Sequence, residues 1–398
     1  MEPLLYLVHR IPYPPNKGDK IRSFHLLKAL AKTYQVYLGA FVDDPGDWEY
    51  QEELKTYCKS YMLRPLNKNI AGIRSLYAFF GKRPLSIPYY TDRKLYKWVK
   101  DTVRKNKINN VLVFSSTMAQ YVEKSVFSSC RRVADFVDID SEKWLQYGEK
   151  KTFPMSWIYK REAKLLADYE DKITSIFDYT MFVSKEEMLQ YVKRNPRCLE
   201  RIGYYRNGVD TEYFDPTIRM TSPYPEDVMP IVFTGAMDYW ANVDAVNWFS
   251  RSIFPEIQKL FASCRFYIVG SNPTEEVTKL NHNPYITVTG GVEDIRPYIK
   301  HAKIVVAPMR IARGVQNKVL EAMAMEKSVV VTPAAIEGIE SCSNYKPLIA
   351  KNEGEFIEQC VASIQVEKYK NSSPEARACI LNHYNWESNL VKLLRLFK

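Results

Sequence analysis

The sequence predicts an α/β fold built from two Rossmann-like, doubly wound domains. Three observations carry that prediction. Short apolar runs alternate with helical patterns along nearly the whole chain, as in a mostly parallel sheet covered by helices on both faces. The alternation breaks once, in PTIRMTSPYPEDVMP (216–230), which holds four prolines and no periodicity and reads as a linker. Four of the five strand-like runs after it end in Gly or Pro within two residues, the chemistry of a strand whose carboxyl end feeds a ligand-facing loop. The length of 398 residues agrees, since at about 150 residues per domain it favours two domains, each with its own core.

The first domain, 1–215, opens with the strand-like LLYLVHR (4–10), the loop PYPPNKGDK (12–20), a helical pattern from Ile21 to Lys32 and the strand-like YQVYLGAFV, which together make a βαβ unit. Further strand-like runs follow at 60–66, 110–115, 132–139, 179–184 and 202–209, with a long helical pattern over 155–177. After the linker, 231–372 reads PIVFTGAM, a helix from about Val243 to Phe261, CRFYIVG, a short helix, YITVTGG, a helix over 293–302, KIVVAPM, a helix over 317–327, and SVVVTP. Residues 373–398 read as a C-terminal helix that packs on either domain. Two such domains in series put a cleft between two rows of strand carboxyl ends, where ligands bind in sheets of this kind.

Charge narrows the partners. The 56 Lys and Arg against 46 Asp and Glu give a net +10, and residues 1–215 hold 36 of the basic and 27 of the acidic side chains, so the surplus lies in the first half. Residues 54–110 concentrate it, with 14 Lys and Arg against only Asp92 and Asp101 and with aromatics interleaved. This is either a solvated face or one that meets an anionic membrane surface or a lipid phosphate. Nucleic acid is not expected as a partner, because no recognisable reading module accompanies the charge.

No apolar run approaches the ~20 residues that span a bilayer, and the opening MEPLLYLVHRIPYPP lacks the parts of a secretory signal. The expected location is cytoplasmic, with peripheral association on the inner face of the membrane. The seven cysteines lie far apart with no C-x-x-C pair and the five histidines are scattered, which argues against a disulfide framework or a zinc site. No metal and no cofactor are expected. The absence of G-x-G disfavours a dehydrogenase, and the missing P-loop, G-x-S-x-G and kinase signatures disfavour the common nucleotide hydrolases, serine esterases and kinases.

The informative segment is MRIARGVQNKVLEAMAMEKSVVVTP (309–333), read as strand end, loop, helix and strand. Its loop brings Arg310, Arg313 and Lys318 around Gly314 at a helix start, where unpaired backbone N–H groups and the positive dipole end favour an anion such as a phosphate or diphosphate. Glu321, read on the first turn of that helix beside Ala322 and Ala324, either accepts hydrogen bonds from ribose hydroxyls or complements the helix dipole.

These residues resemble the retaining, nucleotide-sugar-dependent glycosyltransferases of the two-Rossmann GT-B fold, of the large family-four type. The resemblance rests on VLEAMAMEKSVVVT (319–332), YRNGVDTEYFDP (205–216) and VFTGAMDYWANVDAVNWF (232–249), and it covers almost the whole chain. More narrowly, FVDIDSEKW (136–144), RNGVDTEYFDP, GAMDYWANVDA and ARGVQNKVLEAMAM together look like the sugar transferases of exopolysaccharide gene clusters of the PEP-CTERM/exosortase type.

The resemblance implies transfer of a sugar from a nucleoside-diphosphate donor to a glycan or lipid-linked glycan acceptor, without a metal. Glu321 matches the second Glu of the family's Glu-x7-Glu motif, and Arg313 stands where the first Glu would contact the transferred sugar. The family's Arg and Lys phosphate clamp, expected soon after the first strand of the second domain, is missing from GAMDYWANVDA. A relocated clamp follows, with Arg313 and Lys318 as its cations and Gly314, Gln316 and Asn317 beside them. Gly18, in the loop after the first strand, either lets the backbone approach the donor or serves a plain turn. Asp138 and Asp140 end another strand; Asp138 either holds a sugar hydroxyl or the acceptor, or one of the pair caps a helix. Asp238 and Asn242 either contact the donor or cap the next helix, and His9 reads as structural rather than catalytic. Two other classes share these features: a nucleotide-sugar-binding protein without catalysis, and a nucleotide-sugar epimerase of the same fold.

Overall fold

The computed structural model describes residues 1–79, 81–312, 315–339, 345–365 and 372–398. It divides into two compact units, one formed by Met1–Arg206 with Glu387–Lys398 and the other by Asn207–Trp386. Each is a parallel α/β sheet with helices between its strands, so the predicted fold class holds.

In the first unit the strands are β1 (Glu2–Val8), β2 (Tyr34–Val42), β3 (Cys58–Pro65), β4 (Asn110–Phe114), β5 (Arg131–Val137), β6 (Tyr179–Phe182) and β7 (Ile202–Tyr204). Their order in the sheet is β3-β2-β1-β4-β5-β6-β7, and every pairing is parallel. The central β1 and β4 are buried as continuous apolar runs, Leu4 to Val8 and Val111 to Phe114, as strands covered on both faces must be. The order reverses between β1 and β4, which makes the carboxyl ends of that pair the crevice of this sheet.

The helix Gly18–Ala31 that follows β1 is locked to β5 by a fully buried ion pair. The Arg22 guanidinium donates from Nε and Nη2 to the Asp135 carboxylate at 2.9 and 3.1 Å, and from Nη1 to the Tyr205 carbonyl at 3.2 Å. It also stacks 3.7 Å from the Tyr205 ring centroid, while the Tyr205 hydroxyl donates to the same carboxylate. Fork-to-carboxylate geometry satisfies most of the donors of a buried guanidinium, which removes much of the cost of taking both charges out of water.

The second unit holds β8 (Met229–Thr234), β9 (Cys264–Val269), β10 (Ile286–Gly290), β11 (Ile304–Ala307), β12 (Val329–Val331) and β13 (Leu348–Ile349), all parallel, in the order β10-β9-β8-β11-β12-β13. The switch point lies between β8 and β11. Its core draws on Ile231, Phe233, Phe249, Phe266 and Val306, among others.

Four details differ from the sequence reading. The stretch expected as linker 216–230 packs onto the second unit, because Phe214 and Tyr224 bury their rings in its core; the chain leaves the first unit at Arg206, short of the expected Asp215. The helix expected from Val243 to Phe261 is two helices, Trp240–Trp248 and Phe254–Leu260, joined by a π-turn at Phe249–Ile253. Pro255 explains the break, since it offers no N–H to the carbonyl one turn back and its ring crowds that carbonyl. Residues 373–398 form two helices, Pro374–His383 in the second unit and Trp386–Leu394 beyond it, whose residues from Glu387 on belong to the first. Cys58, Cys130, Cys198, Cys264 and Cys360 carry free thiols, whereas Cys379 is disulfide-bonded, a single bond rather than a framework.

Removing the negative member of the Arg22–Asp135 pair leaves a buried guanidinium unmatched. Asp135→Asn is expected to lower the unfolding free energy of the first unit by about 3–5 kcal/mol in chemical denaturation, and an unchanged transition refutes the structural role given to the pair.

Candidate functional site

The carboxyl edge of the second sheet is shaped by glycine. As β8 and β9 end, Gly235 (φ +152) and Gly270 (φ +155) bring their backbones together so closely that a Cβ on Gly270 would lie 1.8 Å from the Gly235 carbonyl oxygen. Only glycine tolerates that approach. The result is a bare backbone floor at the exit of β8.

Lys318 reaches this floor from another element. The loop after β11 leads into the helix Asn317–Ala324, with Gln316 at its N-cap and Lys318 in its first turn. The Lys318 ammonium donates to the Asn242 Oδ1, lies 3.8 Å from the Met309 Sδ and sits 4.3 Å from the Phe233 ring centroid; a Cβ added to Gly235 would be 3.3 Å from it. Asn242 is buried on the helix Trp240–Trp248, and its Nδ2 donates to the Ala236 carbonyl at 2.8 Å, which turns the amide oxygen to the lysine. The ammonium therefore stands at the β8/β11 switch point against a neutral acceptor rather than a carboxylate.

Burial is the larger influence on both ionisable groups here. It pushes the Lys318 ammonium down to about 7 and the Glu321 carboxyl up to about 7, each only partly opposed by the charge of the other. Among the described residues none donates a hydrogen bond to the Glu321 carboxylate. The helix starts late enough that no acidic side chain lies in its first turn, so Glu321 falls past the free N–H groups and does not act as the dipole complement considered from sequence. A lysine and a carboxylate one turn apart, both desolvated and neither matched by a hydrogen-bonded ion pair among the described residues, suit a ligand that carries both anionic oxygens and hydroxyls.

The other expected residues divide. Asn317 is beside Lys318, its Oδ1 at 3.4 Å from the Asn207 Nδ2, and Gln316 stands at the N-cap position of the same helix without a side-chain bond to its free N–H groups. Arg313 and Gly314 lie outside the described residues. Arg310, expected near the anion, is instead held by Asp244 in an ion pair and lies over the Trp248 ring. Asp238 is exposed, its Oδ2 3.5 Å from the Asn272 Nδ2, and lines a hollow of about 750 Å³ together with Trp240, Trp248, Arg251 and Arg310; Lys318 and Glu321 do not line it. Asn242 caps no helix, and sequence reasoning missed its pairing with Lys318.

Gly18 and Asp138 belong to the first unit. Gly18 is exposed and opens the helix Gly18–Ala31. Asp138 follows Val137, a β-branched residue at φ +70 whose N–H donates to the Asp135 Oδ1 at 3.2 Å. Its carboxylate is paired with the Lys143 ammonium at 2.7 Å, which also reaches Asp140 at 3.4 Å. His9 sits at the β1/β4 switch point, stacked on Phe114 with 5.8 Å between ring centroids. Its Nε2 is 3.1 Å from the Asp19 carboxylate, which Arg10 also contacts at 3.0 Å. Burial acts to raise the Asp19 carboxyl, but the hydrogen bond and charge of His9 and the charge of Arg10 outweigh it and hold the group well below the usual carboxylate range. The position of His9 at a strand end was the available signal for this cluster. No three His, Cys, Asp or Glu side chains converge as a metal site among the described residues.

Residues 230–365 match the family described as Glycosyl transferases group 1, so the second unit carries a domain of that class. No curated protein sequence matches the chain. Solved structures resemble all of it. Sucrose-phosphate synthase from Thermosynechococcus elongatus superposes with a TM-score of 0.69 at 14% identity, covering 100% of this chain and 98% of that one. HepE from Anabaena, solved in complex with UDP and glucose, gives 0.65 at 13% identity and covers 99% of each chain. A mutant TarM from S. aureus, in complex with fondaparinux, α-GlcNAc-glycerol and UDP, gives 0.67 at 12% identity and covers 100% of each. The chain thus has the GT-B fold: two Rossmann-like units, the second a glycosyltransferase group 1 domain.

The electrostatics of Lys318 set a pH dependence. In the empty site the amine loses its proton near pH 7, and an arriving diphosphate raises its pKa, so binding takes up a proton above that pH. Ionisation of Glu321 over the same range acts in the same direction. The affinity for a diphosphate ligand is expected to fall by up to ~10-fold per pH unit above about 7 until the pKa of the bound state is reached. Calorimetric titrations from pH 6 to pH 9 measure this, and Lys318→Met should remove most of the slope; a wild-type affinity constant over that range refutes the assignment.

Proposed function

We propose that the protein transfers a sugar, with retention at the anomeric carbon, from a nucleoside-diphosphate sugar to a hydroxyl of a glycan or lipid-linked glycan, in the assembly of an exopolysaccharide or other cell-surface polysaccharide. The observation that best supports this reading is the placement of Lys318, whose ammonium reaches the exit of β8, the position where GAMDYWANVDA lacks the cations of the usual clamp. The polysaccharide role rests on the resemblance of four sequence segments alone.

In this reading the bond from the anomeric carbon to the diphosphate oxygen breaks through an oxocarbenium-like state, and its electron pair stays on the diphosphate. The acceptor hydroxyl adds to the same face of the sugar and gives its proton to the departing phosphate oxygen. The protein's task is to stabilise charge on the leaving group and hold both substrates. Lys318, with Arg313, neutralises the diphosphate, while Gln316, Asn317 and the backbone around Gly314 position it. Glu321 accepts from the ribose hydroxyls, and Asp238 contacts the donor. The first unit contributes the backbone at Gly18 and the carboxylate of Asp138, which orients a sugar or acceptor hydroxyl. No metal is assigned a role, and turnover is expected to persist in excess chelator.

Thermal shift against UDP, GDP, ADP, TDP and their sugar conjugates identifies the donor, because a ligand that binds only the folded state raises the melting temperature. With that donor, Lys318→Ala and Arg313→Ala are each expected to lower kcat by roughly 10²–10³. Glu321→Ala should mainly raise the donor KM. Wild-type kinetics in all three variants, or no shift with any nucleotide, overturns the reading.

A further inference from the structure

The helix Lys68–Phe79 is amphipathic in the reverse of the usual sense. Its buried residues, Ala71 and Ser75, are small and one turn apart, so that face rests on the first unit without a large apolar contact. Ile70, Ile73, Leu76 and Tyr77, spaced i, i+3, i+6 and i+7, form the opposite face, and each is more than half exposed. A surface helix ordinarily turns such a stripe to the core, because each large apolar side chain left in water forfeits about 1.5–3 kcal/mol.

A second set of exposed apolar side chains adjoins it. The helices Asp140–Lys150 and Met155–Ile176 form a hairpin tightened at Gly148, where a Cβ would come within 2.9 Å of the Lys160 Cγ. At its turn Phe153 is 83% exposed, and Trp157, one turn into the second helix, is more than half exposed. The Trp157 and Phe79 rings meet edge to face at 5.5 Å between centroids. Arg161 fastens the two parts together, donating to the carbonyls of Ala78, Phe79 and Gly81 at the end of the reversed helix. The two exposed apolar sets are thus carried on elements that are braced to each other at the end of the helix.

Its rim is basic. Lys68 begins the helix and Lys82 and Arg83 follow it in sequence, and all three are exposed, as are Lys150, Lys151 and Lys160 about the hairpin turn, whereas Lys55 and Arg64 are already matched by Glu52 and Asp92. We propose that this surface docks the protein on an anionic lipid bilayer: Ile70, Ile73, Leu76, Tyr77, Phe153 and Trp157 enter the boundary between headgroups and acyl chains, and the surrounding lysines and arginines meet lipid phosphates. A flat partner is indicated because a helix of 12 residues, about 18 Å long, presents its stripe along its length beside a rigid turn. A second copy of the chain fits worse, since face-to-face pairing would bring two basic rims together. The inference stands independently of sugar transfer.

The experiment is co-sedimentation of the full chain with phosphatidylcholine vesicles containing about 30 mol % phosphatidylglycerol, and with phosphatidylcholine alone. Binding is expected to the anionic vesicles, and a fraction should persist in ~0.5 M salt, because the apolar contacts are not screened. Ile73→Glu/Leu76→Glu and, separately, Phe153→Glu should each weaken binding at least about tenfold, whereas Lys82→Glu/Arg83→Glu should reduce the preference for anionic lipid. Circular-dichroism melting and thermal shift with UDP run alongside as readouts of folding and of the nucleotide site. Three results overturn the proposal: no sedimentation of the wild-type chain; wild-type sedimentation of the folded apolar variants; or a dimer in light scattering that Ile73→Glu/Leu76→Glu dissociates while vesicle binding is unchanged. A failure to bind nucleotide tells against the sugar-transfer reading and leaves this one standing.

Discussion

The pair of charges at Arg22 and Asp135 fixes the working edge of the first unit. Both side chains are sealed from solvent, so neither can move without exposing the other to an apolar interior. Three segments are aligned by that one constraint: the helix that begins at Gly18, the end of β5 that leads to Asp138, and Tyr205 just past β7. The left-handed backbone of Val137 is held in the same place, because its N–H is tied to the Asp135 carboxylate. A β-branched residue in that region costs of order 1–3 kcal/mol and persists only where its surroundings over-determine it. The neighbouring acids Glu187 and Glu170, which accept from the backbone N–H groups of Ile139 and Ser141 at 3.0 Å each, support the loop after it in the same manner.

The second unit solves a different problem. Its lysine faces an amide oxygen, which satisfies a proton without cancelling a charge. A carboxylate in place of Asn242 would make the empty site more comfortable and an anion less welcome. Arg310 illustrates that alternative a few residues away, where Asp244 already matches its charge.

The parallel sheets were legible because their strands are apolar runs punctuated by Gly and Pro, as in VFTG, YIVG and VVAP. The two-residue β13 has too little pattern to be seen, and the π-turn before Pro255 looks like uninterrupted helix to any count of period 3.6. The proline-rich stretch misled because proline reports an irregular backbone, while the burial of Phe214 and Tyr224 depends on single rings with no periodic signature. At the candidate site, Lys318 and Glu321 were legible from their place at a strand–loop–helix junction. Asn242, which comes from 76 residues away, does not cap a helix as one of its two readings had it, and its pairing with Lys318 could not be foreseen, since sequence spacing carries no information about which side chains meet across a sheet edge. The closeness of Gly235 and Gly270 was hidden for the same reason.

The return of the last residues to the first unit also bears on how the molecule is made. Leu390, Leu393 and Phe397 are buried, the Phe397 ring packs at 6.1 Å from Tyr34, and Lys392 lies over Tyr204. A ribosome emits these residues after the whole of Asn207–Trp386. The domain that is synthesised first is therefore the one that must wait longest for its final contacts, and the second can close its core while the first still has an open seam along Tyr34.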